Sequence, residues 1–204
     1  MPDIEFEFNN VEDVKRLLSG NPGLINQQDA DHKILLAIAV EQRNLEVARY
    51  LVNNGALPVL EFPKGFSPKP WIAKFFQDQI AYRARGDWDG IMRDFYCDDC
   101  EMLSFNFVLK GKEPIKRHFI EGNRKAGKLI AFSIDDYNES DDAVIMRSSV
   151  LSEYLLVKAS DSYLFRDQKV LLFTALTEPP EKTKDWALKW YEWDNKFKIH
   201  MSTD

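Results

Sequence analysis

The stretch covering residues 157–177 constrains the fold more than any other part of the chain. Its first half alternates as a half-buried strand does, residues 166–169 break the pattern, and a second β-rich run follows. This pattern predicts an antiparallel hairpin. Asp161 falls on the same face as Tyr163 and Phe165. The carboxylate therefore either points into an enclosed cavity or, in a shifted register, faces water.

Three segments carry a resemblance to a known family. They are GDWDGIMRDFY at 86–96 with Asp98-Asp99 after it, GKEPIKRHF at 111–119, and DSYLF and DQKV at 161–165 and 167–170. In this order and spacing they resemble the SnoaL-like branch of the nuclear transport factor 2-like superfamily, which includes the ketosteroid isomerases. The resemblance implies an α+β fold, in which a cone-shaped, curved antiparallel sheet wraps around three helices with a pocket between them.

Residues 70–178 contain the periodicities that such a domain requires. Helical patterns cover 71–85, 88–96 and 114–125. Alternation predicts strands at 100–110, 129–137, 143–151, 154–165 and 169–177. In the first of these strands, Met102, Ser104 and Asn106 share a face and are expected to line the pocket.

The N-terminal residues 1–57 show an internal repeat. Residues 11–18 and 45–52 are similar amphipathic helices at a period of 34, and residues 29–55 resemble one ankyrin unit closed by Gly55. The usual Thr-Pro-Leu-His signature is replaced at 34–37, and Arg43 replaces the glycine between the helices. A generic helical hairpin is the alternative. Because about three repeats are needed for an independent core, this segment must dock on the rest of the chain.

Prolines mark two further boundaries. Four of the nine prolines fall within 58–70, which predicts an extended, semi-rigid linker at 58–69. After Pro179-Pro180, four aromatic residues recur at helical spacing and predict an amphipathic helix in 179–204, with a packing role favoured over a ligand-gating lid. These residues are Trp186, Trp190, Trp193 and Phe197. The chain is thus divided into ankyrin-like helices, a linker, a SnoaL-like cone domain at 70–178, and a C-terminal helix and tail.

Charge and composition exclude several functions. The net charge is −6, which provides no basic surface for nucleic acid. The N-terminus lacks the features of a signal peptide, and no apolar run is long enough to span a membrane. Two cysteines and three scattered histidines do not suit a zinc site, and no cofactor motif is present. We expect a cytoplasmic protein with no nucleic-acid or membrane partner, no metal and no cofactor.

The candidate chemistry centres on Asp161. Burial raises the pKa of a carboxyl group, which can then act as a general acid, an oxyanion hydrogen-bond donor or a base near neutrality. The resemblance places Asp161 at the oxyanion-stabilising acid of the ketosteroid isomerases, but Ser104 and Gln79 stand where their base and tyrosine are expected. SnoaL-type cyclases use a His and Asp pair, for which His118 is the candidate. The alternative for His118 is a histidine on the helix surface or satisfied in the core. An ion pair with Arg147 would keep Asp161 ionised and structural.

Two functional interpretations remain open at this stage. The first is a non-catalytic or weakly catalytic protein with an apolar small-molecule pocket, in which the ankyrin-like segment binds a protein partner. The second is an acid/base isomerase, cyclase or dehydratase using Asp161 with His118. The expected pocket residues are Gln79, Met102, Ser104, Asn106, Tyr163 and Phe173. A homodimer is expected through an exposed sheet face that carries Val144, Met146, Val150, Leu172 and Leu176.

Overall fold

The computed structural model describes residues 6–63, 65–178 and 181–182. Its helices are α1 (Val11–Gly20), α2 (Leu35–Glu41), α3 (Leu45–Asn53), α4 (Pro70–Arg85), α5 (Trp88–Phe95) and α6 (Lys112–Ala126), with a 3-10 turn at Pro22–Asn26. Its strands are β1 (Val59–Glu61), β2 (Tyr96–Leu103), β3 (Val108–Lys110), β4 (Leu129–Glu139), β5 (Ala143–Ser152), β6 (Leu155–Arg166), β7 (Lys169–Thr177) and β8 (Glu181–Lys182). The strands form one sheet in the order β1-β4-β5-β6-β7-β2-β3, and β8 also pairs with β6.

The sheet is mixed, which corrects the expectation of a wholly antiparallel one. Strands β4 to β7 form the expected antiparallel meander. At its two sides, β1 pairs with β4 and β2 pairs with β7 in parallel. Strand β1 comes from the predicted linker, so part of that segment is a strand at the sheet edge. Register shifts interrupt the β2/β7, β4/β5 and β6/β7 pairs, and such bulges or irregularities bend a sheet and increase its twist. The predicted α+β architecture is confirmed, with a curved, mixed sheet.

Local sequence signals account for the ends of the helices that face this sheet. Pro70 occupies the first turn of α4, where a missing N–H costs nothing, and Gly86 ends that helix in the left-handed conformation at φ 70°. The side chain of Asp87 then accepts a hydrogen bond from the Gly90 N–H at 2.8 Å and caps α5. These two consecutive residues set the angle between α4 and α5.

The predicted strand at 100–110 is interrupted, which corrects the sequence interpretation. Strand β2 ends at Leu103, and the chain turns so that the Ser104 N–H donates to the Phe107 carbonyl at 3.0 Å. The short strand β3 then returns antiparallel to β2. The alternation of 100–110 is therefore that of two strands of a tight hairpin, not of one long strand.

Helices α4, α5 and α6 cover the inner, concave face of the sheet. The core between them contains the fully buried residues Ile72, Ile91, Tyr96, Met102, Ile115 and Val170. Val144 and Met146 belong to the same core, each 2% exposed. These two residues, and Val150 on the same inner side of β5, were expected on an exposed dimer face, and that assignment is wrong. Ile145, between them, is 59% exposed on the outer face. The homodimer itself stays a prediction.

A second core lies on the outer face of the sheet, where helices α1 to α3 pack. It joins Leu36, Val47 and Leu51 of the helices to Ala131 and Leu151 of the sheet, and all five are at most 2% exposed. The N-terminal helices are therefore docked on the sheet, as the short repeat required. Their likeness to an ankyrin unit, and with it a protein partner for this segment, stays a prediction.

Polar contacts around Glu153 fix this docking. The Asn53 side chain donates to Glu153 Oε1 at 2.7 Å, and the Lys128 N–H donates to Oε2 at 2.8 Å. The Arg49 guanidinium donates to the Glu153 carbonyl. Glu153 is only 8% exposed, so its carboxylate joins α3 to the start of β4 away from water.

The aromatic residues of the predicted C-terminal helix lie outside the described residues.

Candidate functional site

A cavity of about 350 Å³ lies between the inner face of the sheet and helices α4 and α6. The strands supply its floor, because side chains at every second position of β6 point to the same face. Most of its lining is apolar, including Phe76, Ile80, Phe119, Phe132, Val157 and Phe173. A second, more open groove lies near Ile145 and Leu172, and its described lining contains no buried carboxyl group. The inner cavity is therefore the place where enclosed polar chemistry is possible.

The structure brings most of the predicted site residues to this cavity. Its lining includes Gln79, Met102, His118, Asp161, Tyr163 and Phe173. Ser104 and Asn106 do not line it. Because β2 ends at Leu103, the turn carries both residues away from the face to which Met102 contributes. The position that the resemblance assigns to a catalytic base is thus outside the cavity as well as occupied by serine.

Asp161 is the enclosed carboxyl group of the cavity, at 6% exposure. Burial raises its pKa to about 7, and this rise is opposed by a hydrogen bond from Ser148 and by the positive charge of Arg83. The Ser148 hydroxyl donates to Asp161 Oδ2 at 3.4 Å, a long hydrogen bond that offsets little of the desolvation. Near neutral pH this group is present in both its protonated and its ionised form.

Arg147 is not the counter-charge of Asp161. In the β5/β6 register Asp161 lies opposite Met146, whereas Arg147 lies opposite Ser160. Neighbouring residues of a strand point to opposite faces, so the guanidinium is on the outer face, where it forms an ion pair with Asp136. The ionised form of Asp161 is therefore stabilised by the Ser148 hydroxyl and by the more distant charge of Arg83, not by Arg147.

Aromatic side chains form much of the cavity lining beside Asp161. The ring of Tyr163 stacks on Phe173 with 4.6 Å between centroids and meets the edges of Phe75 and Phe76 at 5.7 and 5.8 Å. Burial raises the pKa of the Tyr163 phenol well above its ordinary value. Such a lining excludes water and strengthens every electrostatic interaction made inside it.

His118 lies at the rim of the cavity, with an exposed side chain. Its ring packs against Phe107 at 4.9 Å between centroids. Partial burial lowers its pKa, and the charge of Lys125 lowers it further. Among the described residues, no hydrogen bond or ion pair joins His118 to Asp161. The two groups share the cavity without forming the paired arrangement that the cyclase resemblance implies.

Arg83 is a site residue that the sequence interpretation missed. It lies one turn after Gln79 on α4, and both line the cavity. Gln79 is 5% exposed; its Nε2 and the Arg83 Nε are buried without a hydrogen-bond partner in the described part of the chain. The guanidinium also lies over the Phe119 ring at 5.1 Å. The signal was available, since Arg83 continues the helical stripe formed by Ile72, Phe76 and Gln79.

Other candidate chemistry is not supported by the described residues. Cys97 and Cys100 are free and buried on β2, and burial raises the pKa of the Cys100 thiol to about 11, so the reactive thiolate is suppressed. Within residues 6–63, 65–178 and 181–182, no three His, Cys, Asp or Glu side chains are grouped to hold a metal ion. None of the helices described has the length and apolar character needed to cross a bilayer.

No protein-family model matches the chain, and no curated protein is significantly similar to it. Similar solved structures include an NTF-2 like protein of unknown function from Burkholderia xenovorans LB400, with 19% identity, 59% of this chain and 92% of that chain covered, and a TM-score of 0.43. A protein from Sinorhizobium meliloti, provisionally described as a polyketide cyclase, is 12% identical, covers 52% and 99% of the two chains, and has a TM-score of 0.42. A de novo designed protein with a curved β-sheet is 12% identical, covers 62% and 99%, and has a TM-score of 0.46.

Proposed function

We propose that the chain binds a small, largely apolar molecule in the cavity between α4, α6 and the inner face of the sheet. The observation that carries the proposal is the combination of a preformed, aromatic-lined space of about 350 Å³ with one enclosed carboxyl group, Asp161. Ligand sites in proteins are typically concave and mostly apolar, of roughly 300–1,000 Å³, with a few polar groups that orient the ligand. The cavity falls at the small end of that range, which favours a compact ligand.

Filling the cavity should abolish binding. Ala159 lines it from β6, so Ala159→Leu adds a larger apolar side chain to the space that a ligand would occupy. Ser160→Leu is the matched control, because Ser160 is exposed on the opposite face of the same strand. We expect that apolar small molecules which raise the melting temperature of the wild-type protein lose this effect with Ala159→Leu and keep it with Ser160→Leu. A screen without stabilising compounds, or hits that are insensitive to Ala159→Leu, would contradict the proposal.

A second candidate function is acid/base catalysis by Asp161 on the bound molecule. It is favoured by the pKa of about 7, since a catalytic acid or base is most effective when its pKa is near the working pH. The carboxyl group lies in the cavity that a ligand would occupy, so it can exchange a proton with the bound molecule. His118, exposed at the rim, would contribute only by contacting the ligand, not by orienting Asp161.

Catalysis and binding can be separated with Asp161→Asn. If the protein is an enzyme, turnover of a cavity ligand should show an apparent pKa near 7 and fall by roughly 100-fold or more in the variant, while the ligand still binds. Product formation would be followed by mass spectrometry from pH 5 to pH 9. Turnover that persists in Asp161→Asn, or a pH profile of turnover without an apparent pKa near 7, would exclude this mechanism. Binding without any turnover would leave the protein a binding protein.

A further inference from the structure

We propose that the ligand of this cavity carries a carboxylate head group, which the Arg83 guanidinium and the Gln79 amide bind while the apolar body occupies the aromatic-lined space. This inference rests on the proposed function, because it specifies the ligand of that same cavity. It assigns to α4 the role of anchoring one end of the molecule.

The first observation is the pair of buried donors without acceptors. Arg83 Nε has no hydrogen-bond partner among the described residues, and the buried Gln79 amide, 5% exposed, approaches the Tyr96 phenol without a hydrogen bond of normal geometry. Leaving a buried donor unpaired is costly, and most buried polar groups in proteins are paired. Both donors line the same cavity. A ligand that brings oxygen acceptors would satisfy them both.

The geometry of α4 makes the two side chains act together. Residues four apart on a helix lie on the same face, so Gln79 and Arg83 both project toward the space below α4. An acceptor between them needs at least two lone pairs directed at neighbouring donors. A carboxylate provides them, and a planar guanidinium fits a carboxylate better than any other cation of proteins does.

The charge of Arg83 argues for an anionic ligand. In the described part of the chain no carboxylate lies within ion-pair distance of this guanidinium, and the contact it makes is with the face of the Phe119 ring. Asp161 lies near enough to feel its charge but does not form a salt bridge with it. A ring face stabilises a cation much less than a carboxylate does in a water-poor site. The cation is therefore held at the cavity without its preferred partner.

Asp161 permits such a ligand instead of repelling it. The charged and titratable groups that face this region are Arg83 on α4, His118 and Lys125 on α6, Asp161 and Tyr163 on β6, and Glu178 after β7. When Asp161 is protonated it adds a hydrogen-bond donor, so a carboxylate there meets three donors from two elements. The ligand class is thus a molecule with a compact hydrocarbon or aromatic body and one terminal carboxylate.

The test uses three probes of equal chain length: decanoate, decanol and decylamine, each kept below its micelle concentration. Their dissociation constants would be measured at pH 6 by calorimetry with the wild-type protein, Arg83→Met and Arg85→Met. Arg85 is the matched control, since it is on the same helix and packs over Tyr82 instead of lining the cavity. Circular dichroism would establish that each variant is folded.

We expect decanoate to bind about tenfold or more tightly than decanol, and decylamine to bind most weakly, because a charged hydrogen-bond pair is worth at least a factor of ten in affinity. Arg83→Met should abolish the preference for decanoate, and Arg85→Met should preserve it. Equal affinities of decanoate and decanol in the wild-type protein would overturn the head-group assignment while leaving the apolar pocket standing. Binding of none of the three probes would overturn both the assignment and an apolar ligand of this size. The comparison of the three probes with the wild-type protein tests the head-group assignment by itself. The assignment can therefore be decided even if Arg83→Met does not fold.

Discussion

Gly127→Ala is expected to lower the free energy of unfolding by roughly 3 kcal/mol or more, although it adds a single methyl group. Gly127 follows α6 with φ 78° and ψ −169°, a region of backbone conformation that is essentially restricted to glycine. An added Cβ would also lie 2.8 Å from both the Cβ and the Oε2 of Glu153 and 2.9 Å from a ring carbon of Tyr154. Two independent penalties therefore act at one position.

The steric penalty spreads beyond Gly127. Glu153 accepts hydrogen bonds from Asn53 and from the Lys128 N–H, so displacing its side chain loosens the contact between α3 and the sheet. We expect the variant to expose the outer-face core around Leu51 and Leu151 as well as to disturb the α6–β4 connection. Urea unfolding followed by circular dichroism would measure the midpoint, and hydrogen exchange would locate the loosened region.

Gly122→Ala provides the control on the preceding helix. Gly122 is inside α6, and an added Cβ there would meet no atom within 4 Å. Alanine is the better helix former, so this substitution should raise stability by about 0.5–1 kcal/mol. If both alanine variants have the same urea midpoint as the wild-type protein, the backbone strain and the contact with Glu153 inferred for Gly127 are wrong.

The periodic elements could be predicted from the sequence because local patterns determine them. The bounds of β7, those of β4 and β6 to within two residues, and the helical stripe of α4 follow from apolar spacing and from Pro70 and Gly86. The parallel pairing of β1 with β4 and of β2 with β7 could not be predicted, since alternation is the same in parallel and antiparallel strands. The turn after Leu103 was equally hidden, because residues 104–107 contain no glycine or proline to mark it.

The face on which a side chain lies was predictable only where chemistry distinguishes the two faces. On β6, the buried residues Asp161 and Tyr163 alternate with less buried ones, so their shared face could be predicted. On β5, apolar residues occur on both faces, because Met146 is buried in the inner core and Leu151 under the N-terminal helices. A sheet covered on both faces gives no simple alternation, and Val144 and Met146 were therefore placed on the wrong side. Arg83 falls on the predicted buried stripe of α4, but it was not named as a site residue because an arginine at the end of a helix is ordinarily a surface residue.

The second large effect is expected from Asp161→Asn, and it should depend on pH. A carboxyl group whose pKa is about 7 in the folded protein and near 4 in the unfolded chain favours folding while it is protonated. That contribution is fully present below pH 4 and is lost as the pH rises through 7. The change amounts to about 4 kcal/mol at most. Asparagine keeps the shape and an acceptor for the Ser148 hydroxyl but cannot ionise, so the variant should not lose this stability.

The difference between the two proteins therefore isolates one carboxyl group, since every other titrating group is common to both. We expect Asp161→Asn and the wild-type protein to have similar stability near pH 4.5, and the variant to be more stable by about 2–4 kcal/mol at pH 9. The hydrogen bond from Ser148 lowers the pKa of Asp161, so Ser148→Ala should raise that pKa. The loss of folding stability with rising pH should then continue to a higher pH in Ser148→Ala than in the wild-type protein. The measurement is urea unfolding at pH 4.5, 7 and 9 at constant ionic strength. A difference that does not change with pH would show that Asp161 is ionised throughout this range, and would remove the basis for an acid or base at this position.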